Sequence, residues 1–137
     1  MTGDDSSGVI PLWAVWSPNG KRLAYARVDM RTRTVRLESC DLAGRARVFY
    51  SPTADRPLHS YTVPAWLPDG RVVFGLTDPP PNQRDINLWS LRVDQNSGMP
   101  SGGLRRVTQW QRLALVEPTA FSTDGKRLTV ARPGIPE

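Results

Sequence analysis

The stretch "WSPNG", residues 16–20, has two close relatives in the same chain, "WLPDG" at 66–70 and "FSTDG" at 121–125. An aromatic residue comes first in each, and a glycine follows four positions later. Pro sets φ for the first turn position, Asn or Asp tolerates the second, and Gly accepts the left-handed conformation that closes a hairpin loop. Each copy therefore predicts a strand, a tight turn and a returning strand.

The similarity continues along the chain after each turn. The glycines are separated by 50 and 55 residues, and the positions three after them are Leu23, Val73 and Leu128. "LESCDLAG" at 37–44 aligns with "LWSLRVDQNSG" at 88–98, which matches Leu37 with Leu88 and Cys40 with Leu91. "ARVFY" at 46–50 and "LRRVT" at 104–108 follow as fourth strands. One unit is thus an antiparallel meander of four short strands over about fifty residues, the pattern of a propeller blade.

The predicted fold is all-β, with β-propeller blades of four-stranded antiparallel meanders in an incomplete ring. Residues 9–50 form one blade, 61–108 a second and 113–132 half of a third, after a disordered tail at 1–8. Thirteen prolines and eleven glycines, spread along 137 residues, leave no window with the apolar spacing of an amphipathic helix. Open blade faces and an unpaired strand edge would favour self-association, a partner or further blades of the same protein.

Charge and cysteine content restrict the chemistry. The net charge of +5 is the balance of sixteen arginines and two lysines against thirteen acidic residues, and it favours an acidic partner or simply solubilises the chain. Cys40 is the only cysteine, so an internal disulfide and a cysteine-built metal site are excluded, and we expect its side chain to be buried. "DQNSG" at 94–98 lacks the alternating acidic ligands of a calcium loop and is interpreted as a β-turn. No metal and no cofactor are predicted.

The start of the chain, "MTGDDSSG", has two acidic residues and no apolar run. It therefore does not read as a signal peptide, and no later segment has the apolar length of a membrane span. We expect a cytoplasmic location for the chain as written, or a periplasmic one if it is part of a longer protein.

Several stretches carry a family resemblance, namely "VWSPNGKRLAYAR", "AWLPDGRVVFGL", "NLWSLRVD", "LRRVTQW" and "AFSTDGKRLTVAR". They resemble the repeats of TolB-like, WD-repeat-like bacterial β-propellers over nearly all of the chain after residue 8. The resemblance implies a noncatalytic scaffold or sensor module that binds protein or peptide within a larger bacterial system. It also allows an accessory propeller of an enzyme, either a protein kinase or a prolyl oligopeptidase-like peptidase.

Catalytic motifs were not found, so the chain is predicted not to be an enzyme. It has no G-x-S-x-G nucleophile elbow, no H-R-D and no D-F-G. His59 is the only histidine and is interpreted as a polar loop residue, although members of a catalytic triad need not be neighbours in sequence.

Propeller geometry places the loops 29–34, 51–62, 78–86 and 109–113 on one face, where a partner would bind. Arginines and aspartates are mixed in these loops, which favours protein recognition over nucleic acid. Alternatives remain: "TDPPPNQRD" at 77–85 could be a polyproline ligand, and Trp110 with its neighbouring arginines could bind single-stranded nucleic acid. The candidate partner-binding residues are Arg31, Arg33, Arg56, His59, Tyr61, Arg84, Asp85, Trp110 and Arg112.

A second set of residues is predicted to be structural. The aromatics of the three copies share one position, which indicates packing between blades more than ligand stacking, and Trp89 recurs in the family pattern. The turn glycines accompany them. The structural residues are Trp16, Gly20, Trp66, Gly70, Trp89, Phe121 and Gly125.

Overall fold

The computed structural model describes residues 9–53, 64–77, 86–109, 117–121 and 127–131, with the backbone alone at 9–13, 117–121 and 128–131. These residues form ten strands and no helix, so the all-β prediction is confirmed. No segment of this part of the chain is a helix with the length and apolar character that a bilayer span requires.

The first sheet contains four antiparallel strands in sequence order. They are β1 (Val9–Trp16), β2 (Arg22–Asp29), β3 (Thr34–Asp41) and β4 (Ala46–Tyr50). Consecutive pairing of this kind follows from short connections, because each tight turn returns the chain beside the strand it has just left.

The second sheet repeats this order, and a third pair of strands follows it. The second sheet consists of β5 (Ala65–Trp66), β6 (Arg71–Thr77), β7 (Ile86–Val93) and β8 (Pro100–Arg106). In the third pair, β9 (Glu117–Phe121) runs antiparallel to β10 (Leu128–Ala131). The strand pairs of all three predicted hairpins are present, although the turn at 122–126 lies outside the described residues, and the sheets do not close on one another within the described residues.

The first two hairpins differ in length by one residue. Ser17 N–H donates to the carbonyl of Arg22 at 2.8 Å, which encloses four residues, whereas Leu67 N–H donates to the carbonyl of Arg71 at 2.7 Å and encloses three. Lys21 is the additional residue of the first loop. Both loops otherwise use the same bond from the turn glycine back to the start of the turn.

This difference corrects the alignment inferred from sequence. Trp16 pairs with Leu23, whereas Trp66 pairs with Val72. The equivalent of Leu23 is therefore Val72, and the match of Leu23 with Val73 was wrong by one position. Counting from the glycine failed because the extra residue lies between the glycine and the strand.

The third strands align as predicted. Leu23 pairs with Cys40 and Val72 with Leu91, so that Cys40 and Leu91 occupy equivalent ladder positions. Cys40 is 8% exposed, which confirms the expectation that it is buried. Burial also raises the pKa of its thiol.

The core lies between the first and second sheets. One face of the first sheet supplies small and aliphatic side chains, including Ala24 and Leu37, and the facing side of the second sheet supplies larger ones. Tyr50 meets Phe74 across this layer with ring centroids 5.1 Å apart. The burial of apolar side chains between two stacked sheets is the main contribution to their stability.

Trp16 departs from its predicted role. Trp66 is 1% exposed between the two sheets, whereas Trp16, at the equivalent position of the first sheet, is 56% exposed. The two residues differ because the first sheet covers Trp66, while no described strand covers the corresponding face of the first sheet. The interpretation of Trp16 as a buried core residue is therefore wrong for this structure.

Candidate functional site

The turn between β2 and β3 carries the described part of the predicted partner-binding face. The carboxylate of Asp29 accepts hydrogen bonds from the N–H groups of Arg31 at 3.0 Å and Thr32 at 3.3 Å, which fixes the start of the turn. Met30 is 61% exposed. Arg33 has φ +55°, the only positive φ of a non-glycine residue in the described part of the chain.

None of the other candidate partner-binding residues can be placed with this turn. The following lie outside the described residues: Arg56, His59, Tyr61, Arg84, Asp85, Trp110 and Arg112. Their grouping on one face stays a prediction from the sequence.

The residues predicted to be structural are only partly described. Gly20 and Gly70 have φ of +71° and +95°, as the turn chemistry requires. Trp89 is buried, and the guanidinium of Arg106 lies 4.6 Å from its ring centroid. Phe121 is described by its backbone alone, and Gly125 lies outside the described residues.

A contact that the sequence did not indicate joins the two sheets at one corner. Arg22 is 4% exposed. Its Nε donates to Ser39 Oγ at 2.9 Å, and its Nη1 donates to the main-chain carbonyl of Asn96 at 3.0 Å. A Cβ on Gly98 would lie 2.6 Å from Nη2 of this arginine, so the β7–β8 turn can approach only because it has glycine there.

The β7–β8 turn is itself held by an aspartate. Asp94 Oδ1 accepts hydrogen bonds from the N–H groups of Asn96 at 2.9 Å and Ser97 at 2.8 Å. Those N–H groups, Ser97 first, hold the pKa of Asp94 below its usual value. Gly98 closes the turn with φ +75°. The result is a hydrogen-bonded turn that presents the backbone carbonyl of Asn96 to the first sheet.

Two further contacts surround this corner. Asn19 N–H donates to Gln95 Oε1 at 2.8 Å, and Arg47 Nη1 lies 3.0 Å from Met99 Sδ. Both connect the first sheet to the same turn of the second. The β7–β8 turn is therefore contacted from the β1–β2 loop, from β2 and from β4.

The second sheet has one face toward the first sheet, and its other face carries a cleft of about 580 Å³ that is lined by arginines. Arg71, Arg92 and Arg105 line it, with the buried hydroxyl group of Ser90 between them. Arg71 Nε donates to Asp69 Oδ2 at 2.7 Å. Guanidinium groups are planar donors that suit carboxylates, phosphates and backbone carbonyls, so the cleft can take an anionic or carbonyl-rich ligand.

A buried carboxylate lies on the outer face of the first sheet. Glu38 accepts hydrogen bonds from Tyr25 Oη at 3.1 Å, Arg27 Nη1 at 3.4 Å and Arg36 Nε at 2.9 Å. Burial, and then the charge of Glu38, raises the pKa of Tyr25. With these three donors the carboxylate is compensated within the sheet, as buried charges require.

Comparison with known proteins gives no family. No protein-family model matches the chain, and no curated protein matches it.

One sequence signal could have drawn attention to the arginines. Each "WSPNG"-like stretch is followed by an arginine, in "GKR", "GR" and "GKR"; this arginine begins β2 and β6 and directly precedes β10. From the sequence alone we expect these arginine side chains to be exposed to solvent, because Arg and Lys are common at strand ends. The contact of Arg22 depends on a turn more than 70 residues away in the chain, since Arg22 and Asn96 are 74 residues apart.

Proposed function

We propose that this chain is part of a β-propeller and serves as a noncatalytic module that binds protein or peptide. The propeller assignment is supported by two meanders with strands in sequence order, which stack face to face with Trp66 and Phe74 between them. Such sheets are the units that propellers arrange around an axis. The same surface would serve if the module belonged to a larger enzyme.

The observation that carries the binding role is the conformation of the β2–β3 turn. Arg33 adopts a left-handed backbone, φ +55°, which costs an arginine about 1 kcal/mol that glycine or asparagine would avoid. Strained positions of this kind often occur where a side chain is used. Here the turn holds the exposed side chains of Met30, Arg31 and Arg33 on a short loop fixed by Asp29.

The chemistry of this turn indicates the kind of partner. Two guanidinium groups beside an exposed thioether suit a peptide that places carboxylates next to an apolar side chain. The pre-set turn would lose little conformational entropy on binding, because its backbone is already fixed by the carboxylate of Asp29.

The test is selection of a displayed random peptide library on the full chain, followed by fluorescence polarisation with the enriched peptides. We expect enrichment of acidic peptides with one apolar residue. Their affinity should fall about tenfold or more in Arg31→Ser/Arg33→Ser, because both charged donors are lost.

Arg45→Ser is the matched control. Arg45 is an exposed arginine in the β3–β4 turn, where its Nε lies 2.9 Å from Asp41 Oδ2. Removal of this charge should leave peptide affinity unchanged. A library that yields no enriched peptide, or equal losses in both variants, would refute the binding role of the β2–β3 turn.

A further inference from the structure

The two four-stranded sheets carry the same three residues, two arginines and a serine, at equivalent ladder positions. Arginine begins the second strand of each sheet, and a serine on the third strand pairs with an arginine on the fourth. The three residues, here called the corner trio, are Arg22, Ser39 and Arg47 in the first sheet and Arg71, Ser90 and Arg105 in the second.

The corner trio of the first sheet is occupied by the β7–β8 turn. Arg22 reaches the carbonyl of Asn96, and Arg47 reaches Met99. A Cβ on Gly98 would lie 2.7 Å from Ser39 Oγ, which places the glycine directly against this serine. Together these contacts show what this trio binds: a tight turn that begins with aspartate and closes with glycine.

The corner trio of the second sheet lines the basic cleft described above. Arg71 bonds Asp69 of its own hairpin, and the side chain of Arg105, which lies in the β7–β8 ladder, makes no hydrogen bond in the described part of the chain. Ser90 is buried at the base, as Ser39 is in the first sheet. This trio therefore has the same donors as the occupied one, while no turn from another sheet contacts it among the described residues; the neighbouring Arg92 donates from Nη1 to the carbonyl of Asp69 in its own hairpin.

The third pair of strands indicates the direction from which an occupant would come. β9 lies beside β5 and β6, as β5 lies beside β1. Within the described residues, β10 pairs only with β9 and keeps one edge open. A hairpin that added to this edge would occupy the positions that β7 and β8 hold in the second sheet, with its turn over the cleft.

We propose that the cleft formed by Arg71, Ser90 and Arg105 binds the aspartate-led, glycine-closed turn of a partner β-hairpin. Arg71 turns from Asp69 to Ser90 Oγ and to a main-chain carbonyl of the turn, as Arg22 does in the first sheet. Arg92, which lies opposite Arg71 where the first sheet has Asp41, adds a positive charge toward the aspartate of the occupant. This site lies apart from the β2–β3 turn, so it can be tested separately from the function proposed above.

The test uses the full chain and a backbone-cyclised peptide that carries Arg92–Pro100. NMR signals of the arginine Nε–H groups are followed during titration. We expect saturable shifts at Arg71 and Arg105 with a Kd of about 0.1–1 mM, since a single turn offers few contacts.

Three comparisons decide the outcome. The same peptide with Gly98→Ala should not bind, because the added Cβ meets the arginine and the serine. Arg105→Gln in the protein should weaken binding about fivefold or more; this residue is exposed, so the variant should fold. Arg31→Gln should leave the affinity unchanged, which separates this site from the proposed peptide-binding turn.

Other results would overturn the proposal. Equal binding of the Gly98→Ala peptide, or no saturable shift with several millimolar peptide, would mean that the trio does not recognise this turn. Shifts of Arg71 and Arg105 that depend on protein concentration without peptide would make a second copy of the chain the occupant. A single-stranded oligonucleotide that shifts the same signals at lower concentration and physiological salt would make the cleft a nucleic-acid site.

Discussion

Arg22 in the first sheet donates a hydrogen bond from Nη1 to the carbonyl of Asn96 in the second sheet, 3.0 Å away. The guanidinium also bonds Ser39, so a buried cation is held by one partner from each sheet. It lies at the corner of a largely apolar core. A charged donor in this position fixes how far the β7–β8 turn can slide along the first sheet.

Replacement of this arginine should therefore weaken the association of the sheets. Arg22→Gln is expected to lower the free energy of unfolding by about 2–3 kcal/mol, because the carbonyl of Asn96 and the hydroxyl of Ser39 lose a charged donor. Urea denaturation followed by tryptophan fluorescence measures it. Arg45→Gln, which breaks an exposed ion pair, should change stability by less than about 0.5 kcal/mol, and equal effects would contradict the structural role of Arg22.

Substitution of two glycines that have the same backbone conformation distinguishes the cost of backbone strain from the cost of a steric clash. Gly98 and Gly102 have φ of +75° and +71°, but only Gly98 is closely approached by other atoms. Gly102→Ala should cost about 1 kcal/mol for the left-handed backbone alone, and Gly98→Ala should cost at least twice that. Thermal melts of both variants test the difference; similar melting temperatures would show that the Arg22 contact is looser than described.

The two equivalent tryptophans should respond differently to truncation. Trp66→Ala removes a fully buried side chain and should lower the free energy of unfolding by about 3–5 kcal/mol. Trp16→Ala removes a side chain that is largely exposed and should cost less than about 1 kcal/mol. Denaturation curves for both variants are the measurement. A large loss for Trp16→Ala would mean that its face is covered in solution, which would favour association through the outer face of the first sheet.

The aspartate of the β7–β8 turn should make stability sensitive to acid. Because the N–H groups of Ser97 and Asn96 lower the pKa of Asp94, its stabilising contribution is present above the unfolded value of about 3.9 and is lost as pH falls through the folded pKa. In Asp94→Asn the amide oxygen can accept the same bonds without titrating. The melting temperature of this variant should thus fall less between pH 5 and pH 2, on the order of a few degrees. If the melting temperatures of the wild type and of Asp94→Asn fall by the same amount over this pH range, Asp94 does not have this role.

The single cysteine should be unreactive in the folded chain. Cys40 lies between β2 and β4, and burial raises the pKa of its thiol, so little thiolate is present near neutral pH. Iodoacetamide should modify it at least about tenfold more slowly in buffer than in concentrated urea. Mass spectrometry of timed samples gives both rates; rapid modification without denaturant would place Cys40 at the surface.

Local patterns in the sequence were sufficient to predict the first two hairpins. Turns at Gly20 and Gly70 need only a few residues to form, so the pattern of aromatic, proline and glycine predicted them correctly. The burial of Trp66 also followed from its position. The exposure of Trp16 did not, because it depends on whether another sheet lies on that face, which no short pattern can report.

One long-range contact and one local backbone conformation were not predicted from the sequence. The bond from Arg22 to Asn96 spans 74 residues, and arginine at a strand end gives no sign of its partner. The left-handed conformation of Arg33 was also missed, since arginine has no preference for it and the fixed start of the turn at Asp29 imposes it. The candidate loop residues near His59 and Trp110 remain predictions.

The unequal lengths of the β1–β2 and β5–β6 loops have a practical consequence for labelling the protein. Loops of four and three residues support the same strand pairing, so this edge of the sheets accepts added length. Because longer loops cost little closure entropy, a fluorophore-bearing segment inserted between Gly20 and Lys21 should leave the ladder intact. Both residues are exposed, yet Asn19 beside them bonds Gln95 of the second sheet. A dye there would report on separation of the two sheets while touching neither side of their core.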